Sequence, residues 1–355
     1  MPTAYDVAAK AGVSVGTVSR YLTGNGYVSA AARERIAAAI SELGYIQNRA
    51  AASLTTKRTG LLGFVVSQLK NPFTAEVASA LGQAARARGY GVVLADSGGD
   101  PNQAIDAVEL LRSHEVEGLV VTPPESPEYN AALVAAARTM PVVGIGLHTT
   151  PSVTDLVTVD TRSGAQQAVT YLIELGHTRI AYIGSSTMAS GRYQAYRTTL
   201  EAHGLPCDPE LIVLGSLDRE AGHQATTRLF AQDRPPTAVF AANDAVALGV
   251  VQAAHSLGIA VPTQLSVIGC DNVDLAAHAI PPLTTVAQPM ALLGQTALEL
   301  LWQRLGPDPA GHSPRTVTLS CELVIRESCA PPASPGRPSV QPPSERTHHG
   351  QHAES

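Results

Sequence analysis

The sequence predicts a small α-helical head, three helices in a helix-turn-helix arrangement, followed by an α/β body of two lobes built on parallel sheets. Three observations lead there. The hydrophobic period changes near residue 60, short apolar runs then alternate with amphipathic stretches in two successive series, and charge is divided between the two parts. Residues 1–58 hold seven bases and three acids, a net of +4, whereas the chain of 355 residues carries −6, which leaves −10 on the remainder. A basic head on an acidic body is the distribution expected where only the head meets a polyanion.

The head can be justified element by element. Thr3 is placed to cap a helix over "AYDVAAKA", whose Val7, Ala8 and Ala11 share a face. Gly12 allows a tight turn, and Ser14 caps a second helix that runs to about Leu22. Ala8 permits a close crossing and Val18 plugs the angle between the helices. That leaves Val15, Gly16, Thr17, Ser19 and Arg20 as an outward surface of short side chains plus one guanidinium that can fork onto guanine or grip a phosphate. Ser29 caps a third helix, with Ile36, Ile40 and Leu43 at helical spacing and Gly44 at its end. In "YIQNRAAASLTTKRTG", Leu54 is the only large apolar residue after Ile46. On spacing alone this segment is a linker. It also suits a segment that folds on docking, with Leu54 as a minor-groove wedge and Asn48 and Arg49 at phosphates.

In the body, "LLGFVV", "YGVVLA", "GLVVT", "PVVGIG" and "DLVTVD" form one series of expected strands, and "RIAYIG", "LIVLG", "TAVFAA" and "LSVIG" a second. Ligands of such sheets bind at the carboxyl ends of strands, so two lobes face each other across a cleft. The candidates past those ends are Asn71, Pro72 and Phe73, then Asp160, Arg192, Asn243, Asp244, Asp271, Asn272 and Gln288. This mix of amides, carboxylates, one arginine and one aromatic suits a polyhydroxylated ligand. Structural roles are open beside it: Asp160, Asn243 and Asp271 can equally cap the following helices, Phe73 can belong to the core, and Arg192 can pair on the surface. Trp302, the only tryptophan, falls on an apolar helix face and is assigned to the core.

Several classes are excluded or disfavoured. No apolar run approaches the roughly 18 residues of a membrane span, and the amino terminus is not signal-like, so a cytoplasmic, nucleoid-associated protein is expected. Four cysteines without a CxxC spacing suggest no metal site, and no cofactor is expected. Absence of a phosphate-binding glycine motif or a local nucleophile and base argues against an enzyme.

Taken together, "YDVAAKAGVSVGTVSRYLTGNGYVS", "ELGYIQNRAAASL", "LKNPFTAE", "GHTRIAYIG" and "FAANDAVALGVVQAAHSLGIAVPTQLSVIGCDN" resemble the LacI/GalR family of transcription regulators over residues 3 to about 327. The resemblance implies a helix-turn-helix domain over 1–47, a hinge over 48–59 and a two-lobed periplasmic-binding-protein-like core over 60–327. Lobe 1 is then about 60–158 and 289–315, lobe 2 about 160–287 and 316–327, with a disordered tail over 328–355. It implies that Tyr5 and Ser14 sit on phosphates, that Val15, Gly16 and Arg20 face bases, and that Leu54 intercalates. Phe73, Asp160, Arg192, Asn243, Asp271 and Gln288 would hold the effector. Leu217 and Cys270 stand where the family often has aromatics, which reduces the stacking area offered to a sugar ring. The expected function is a dimeric repressor on a palindromic double-stranded operator, controlled by a small molecule, a sugar by analogy. A corepressor-dependent repressor or an activator with a nucleoside or other metabolite is the alternative. A solute-binding protein would gain nothing from the basic head.

Overall fold

The computed structural model describes residues 2–24, 26–46, 58–122, 126–146, 154–185, 191–306 and 313–332. In the head, α1 (Ala4–Ala11) begins with a capping box. The Thr3 hydroxyl accepts from the Asp6 N–H, and the Asp6 carboxylate accepts from the Thr3 N–H at 2.7 Å. Gly12, at φ 62°, ends the helix in a left-handed turn. Ser14 then caps α2 (Val15–Thr23) through the Thr17 N–H, and Ser29 caps α3 (Ala30–Leu43). Val7, Val18 and Ile36 are fully buried where the three helices meet, so Val18 occupies the angle as its position suggested.

The first lobe carries a six-stranded, all-parallel sheet. Its strands are β1 (Leu61–Val66), β2 (Gly91–Asp96), β3 (Leu119–Val121), β4 (Val142–Ile145), β5 (Asp155–Val159) and β11 (Thr316–Leu319), in the order β11-β5-β4-β3-β1-β2. Helices α4 (Pro72–Ala87), α5 (Pro101–Ser113), α6 (Pro127–Ala137) and α12 (Met290–Arg304) cover it. In the second lobe, β6 (Ile180–Gly184), β7 (Ile212–Leu214), β8 (Ala238–Ala241), β9 (Ser266–Asp271), β10 (Thr284–Ala287) and β12 (Glu322–Val324) are ordered β12-β10-β9-β8-β6-β7, with β12 antiparallel to β10. Its helices are α7 (Thr161–Glu174), α8 (Gly191–Ala202), α9 (Arg219–Phe230), α10 (Asp244–Ser256) and the short α11 (Asp274–His278). The central strands β4, β5, β6, β8 and β9 are buried along their whole length, as near-continuous Val, Ile, Leu and Ala runs require in a parallel sheet covered on both faces.

Two boundaries differ from those the sequence suggested. β11 pairs with β5, so residues 316–319 belong to the first lobe and the last crossover falls between β11 and β12. An edge strand of alternating burial has no continuous apolar run, and only its distant partner assigns it to a sheet. The chain also remains packed beyond 327. The Ser328 hydroxyl bonds the Val267 carbonyl at 2.6 Å and the Thr284 N–H at 2.8 Å, and the Ala330 N–H donates to Ser266. Buried His177 adds a bond to the Ala330 carbonyl at 3.0 Å, so the second lobe holds the chain through at least Ala330.

Candidate ligand cavity and nucleic-acid interface

The carboxyl ends of both sheets converge on a cavity of about 260 Å³. From the first lobe come Ser67 after β1, Asn71, Phe73 and Thr74 at the start of α4, Thr122 after β3, Ile145 and Thr158. The second lobe supplies Arg192, Leu217, Asn243 and Asp271, while Gln288 and Leu293 flank the crossover into α12. Five of the six residues that the family resemblance implies for the effector, Phe73, Arg192, Asn243, Asp271 and Gln288, therefore meet in one place. Asp160 is the exception: its side chain is exposed and caps α7 by accepting from the Ser163 N–H at 3.0 Å, and it is not among the lining residues, although its neighbours Val159 and Thr161 are.

Local chemistry sets the remaining side chains. Asn71 caps α4 through the Phe73 N–H at 3.0 Å, with Pro72 in the first turn, and thereby presents Phe73 to the cavity. Asn243 caps α10 through the Val246 N–H and donates to the Leu217 carbonyl at 3.0 Å, so it both lines the cavity and holds Leu217 there. Asp271 ends β9 at φ 126°, a conformation that L side chains rarely adopt, and the following residue Asn272 is also left-handed. Asp244 braces this turn: it is fully buried, accepts from the Val273 N–H at 2.9 Å and the Thr285 hydroxyl at 2.6 Å, and supports the loop without lining the cavity.

Gln288 Nε2 donates to Asp271 Oδ1 at 2.5 Å, and Arg192 Nη2 lies 3.9 Å from the same oxygen. Burial pushes the Asp271 carboxyl up to about 7 against the pull of Arg192, placing it at the border of ionisation near neutral pH. Burial works against the Arg192 charge, and the Cys270 thiol and Asp271 carboxyl beside it outweigh that effect, so the guanidinium stays charged. Arg192 Nε and Thr158 Oγ1 are buried and lack hydrogen-bond partners among the described residues. Such orphans are costly unless a ligand or water meets them, and these two come from opposite lobes of one cavity. Hydroxyl residues Ser67, Thr74, Thr122, Thr158 and Thr161 were absent from the sequence candidates. Ser67, Thr122 and Thr161 share the position just past a strand end, whereas Thr158 lies within β5 and Thr74 in the first turn of α4, and none carries the charge that singled out the others. No group of side chains able to hold a metal occurs among the described residues.

On the head, Gly16, Ser19 and Arg20 are exposed on α2, Thr17 is half-buried, and Tyr5 is exposed on α1. Arg20 folds back over its own helix, Nε donating to the Gly16 carbonyl at 3.1 Å and Nη2 to Thr17 at 3.4 Å. Ser14 is exposed, but its hydroxyl is engaged with the Thr17 N–H and hydroxyl. Val15 departs from an outward role: it is half-buried against the head core. The first turn of α2 also carries no acidic residue, which leaves its positive end available to a phosphate. Asn48, Arg49 and Leu54 lie outside the described residues. No described helix is long and apolar enough to cross a membrane.

Comparison with known proteins agrees with both halves. Residues 3–48 match the family model for bacterial regulatory proteins of the lacI family, and 169–329 match the periplasmic binding protein-like domain. The chain is 35% identical over 336 residues to the HTH-type transcriptional regulator DegA of Bacillus subtilis, covering 93% of this chain and 98% of that one. It is 34% identical over 308 residues to the ribose operon repressor of Escherichia coli, covering 86% and 93%. Among solved structures, the lac repressor dimer bound to operator and the anti-inducer ONPF superposes with a TM-score of 0.81 at 30% identity, covering 93% of this chain and 99% of that one. A capped recognition helix on a separate head, joined to two lobes that enclose polar strand ends, thus places the chain in the lacI family of bacterial regulatory proteins, as a ligand-responsive DNA-binding transcriptional regulator.

Proposed function

We propose that the protein is a repressor that binds a palindromic operator as a homodimer and is released by a neutral, monosaccharide-sized ligand. The observation that carries the ligand class is the cavity wall. Among the described residues its ionisable groups are one guanidinium and one carboxyl facing it, with no excess of basic side chains for an anionic ligand, while the first lobe offers an amide and several hydroxyls beside Phe73 and Ile145. A polyol can satisfy such donors and acceptors, including the orphaned Arg192 Nε and Thr158 Oγ1. At about 260 Å³ the space falls below the roughly 300–1,000 Å³ of sites for drug-sized molecules, which favours a single sugar ring. Phe73, Arg192, Asn243, Asp271 and Gln288 hold the ligand in this reading, and the ribose operon named for one relative is consistent with it.

For DNA, Arg20, Ser19, Gly16 and Thr17 read the major groove, Tyr5 and Ser14 meet phosphates, and the segment holding Asn48, Arg49 and Leu54 meets the minor groove. A dimer is proposed because one small head buries too little to hold a specific site at physiological salt. No catalytic step is part of this function, and the protein acts on DNA in the cytoplasm.

A thermal-shift panel tests the ligand class, since a molecule that binds only the folded state raises the melting temperature. D-ribose, D-xylose and D-glucose are compared with ribose 5-phosphate, adenosine and guanine. Stabilisation by a neutral sugar is expected. Stabilisation by the phosphate or purine compounds alone overturns the assignment.

A further inference from the structure

The chain enters the first lobe at Gly60, and one carboxylate holds that point. Gly60 adopts φ 66°, a left-handed turn that favours glycine, and its N–H donates to Glu117 Oε1 at 2.7 Å. The other oxygen, Glu117 Oε2, accepts from the Tyr90 hydroxyl at 2.7 Å. Around this bond the Thr59 hydroxyl donates to the Glu115 carbonyl at 2.9 Å, and the Glu117 N–H donates to the Leu61 carbonyl at 2.8 Å. Burial and the neighbouring Glu117 push the Tyr90 hydroxyl up to about 12, so it keeps its proton.

Tyr90 leads onward to α12. Its ring stands edge-on to Trp302, with centroids 5.3 Å apart and planes at 89°. Arg88 lies over the Trp302 ring at 5.6 Å and pairs with Glu299 on the same helix. Trp302 is therefore half-buried on the lobe's flank, not in the core as its helical spacing suggested. Beside Glu117, the glycine at 118 leaves room for Leu301 of α12, where a Cβ would come within 2.9 Å. At the other end of α12, Leu293 and the preceding Gln288 line the cavity. A helix of 15 residues spans about 22 Å, so one rigid rod runs from the cavity to the place where the body begins.

We propose that Glu117 is a positioning residue for operator binding: its carboxylate fixes Gly60 against Tyr90, and through Tyr90 and Trp302 ties the chain leading to the head to the helix that faces the cavity. The tie to the cavity rests on the ligand site proposed above. A joint held by a bidentate carboxylate restricts where the head can go, and loosening it spreads the head over more orientations and lowers its effective concentration at the operator. Passing a ligand signal along this line requires an element in contact with both sites, and α12 touches the cavity through Leu293 and the entry point through Leu301 and Trp302.

The test uses the full chain, a duplex selected by the parent protein from a random palindromic library, and a scrambled duplex of equal length. Glu117→Ala is expected to lose about tenfold in affinity for the selected duplex with the scrambled duplex little changed, and to melt a few degrees lower because hydrogen bonds to a charged group are lost from the fold itself. Tryptic cleavage after Arg58 should accelerate several-fold. Glu117→Gln keeps an acceptor for the Gly60 N–H and should recover most of the loss. Tyr90→Phe keeps the Gly60 bond but cuts the tie to α12, and should show a smaller selective loss. Parent-like selectivity and cleavage in Glu117→Ala overturn the positioning role. If that variant loses its fold, Tyr90→Phe decides, and parent-like selectivity there overturns the tie to α12. Neither readout uses a ligand, so a failed sugar panel and a failed positioning role are separate results.

Discussion

Asp271 ends a strand of the second lobe, Gln288 opens the crossover back to the first, and the amide of Gln288 donates to the Asp271 carboxyl at 2.5 Å. The bond lies where the two lobes meet, on the wall of the cavity between them and next to the residue that begins the approach to α12. Its state of ionisation is thus felt on both sides of the cleft.

A pH dependence follows. The Asp271 carboxyl rises from 3.8 to about 7 on folding, so between those values the native chain holds a proton that the unfolded chain has shed. Its contribution to stability is fully present below about 3.8 and is lost as pH rises through about 7. Ligand hydroxyls donate to the charged form, so binding should expel the proton. Affinity for a stabilising neutral sugar is expected to rise between about pH 6 and pH 8, by at most about tenfold per unit. Calorimetry in two buffers of different ionisation enthalpy should report proton release, and a flat profile would contradict it.

Replacing the guanidinium has a distinct signature. Arg192→Ala removes the charge that draws the Asp271 carboxyl down, so Asp271 should titrate higher still. Melting shifts with any sugar should disappear while binding to the selected duplex persists. Retained sugar response places the ligand elsewhere.

Asp155 offers a stability test remote from the cavity. Its side chain is fully buried and accepts from Arg304 Nε and Nη2, each at 2.9 Å, and from the Arg315 N–H at 2.8 Å. Removing one partner of a buried pair leaves the other uncompensated, and Asp155→Ala should cost about 3–5 kcal/mol in denaturant unfolding. A loss below about 1 kcal/mol, the scale of an exposed pair, would show that water reaches Arg304.

In the second lobe, α9 and α10 cross on glycines. A Cβ on residue 249 would lie 2.0 Å from the Arg219 carbonyl oxygen, and one on residue 222 would lie 2.2 Å from that of Val246. Backbone atoms cannot step aside as a side chain does, so Gly249→Ala should destabilise by about 3 kcal/mol despite its better helix propensity. An unchanged unfolding midpoint would mean that the helices separate freely.

On the head, Arg20→Ala should relax selectivity at one base pair in each half-site, by about 1–3 kcal/mol. A uniform loss over all sequences, with a shallower salt dependence, would instead assign Arg20 to a phosphate.

Local elements were readable because their causes are local. Thr3 and Ser14, the Gly12 turn, Val18 and the nine apolar runs act on near neighbours, and the corresponding helices and strands are present. β11 and β12 left no comparable trace. They have four and three residues, partly exposed, and their partners are far away in sequence. At the cavity, strand-end position and charge led to Arg192 and Asp271, which line it, whereas Asp160, chosen by the same rule, caps α7 and is not among the lining residues.

The sequence by itself determined the basic three-helix head, the alternation of strand and helix, and the set of polar residues past strand ends, because composition and period record what each residue does beside its neighbours. Tertiary structure alone decided which of those ends meet, which lobe receives β11, and that Glu117 and Tyr90 join Gly60 to α12. Those outcomes depend on contacts between segments distant in the chain, which three crossings between two sheets create and no local pattern encodes.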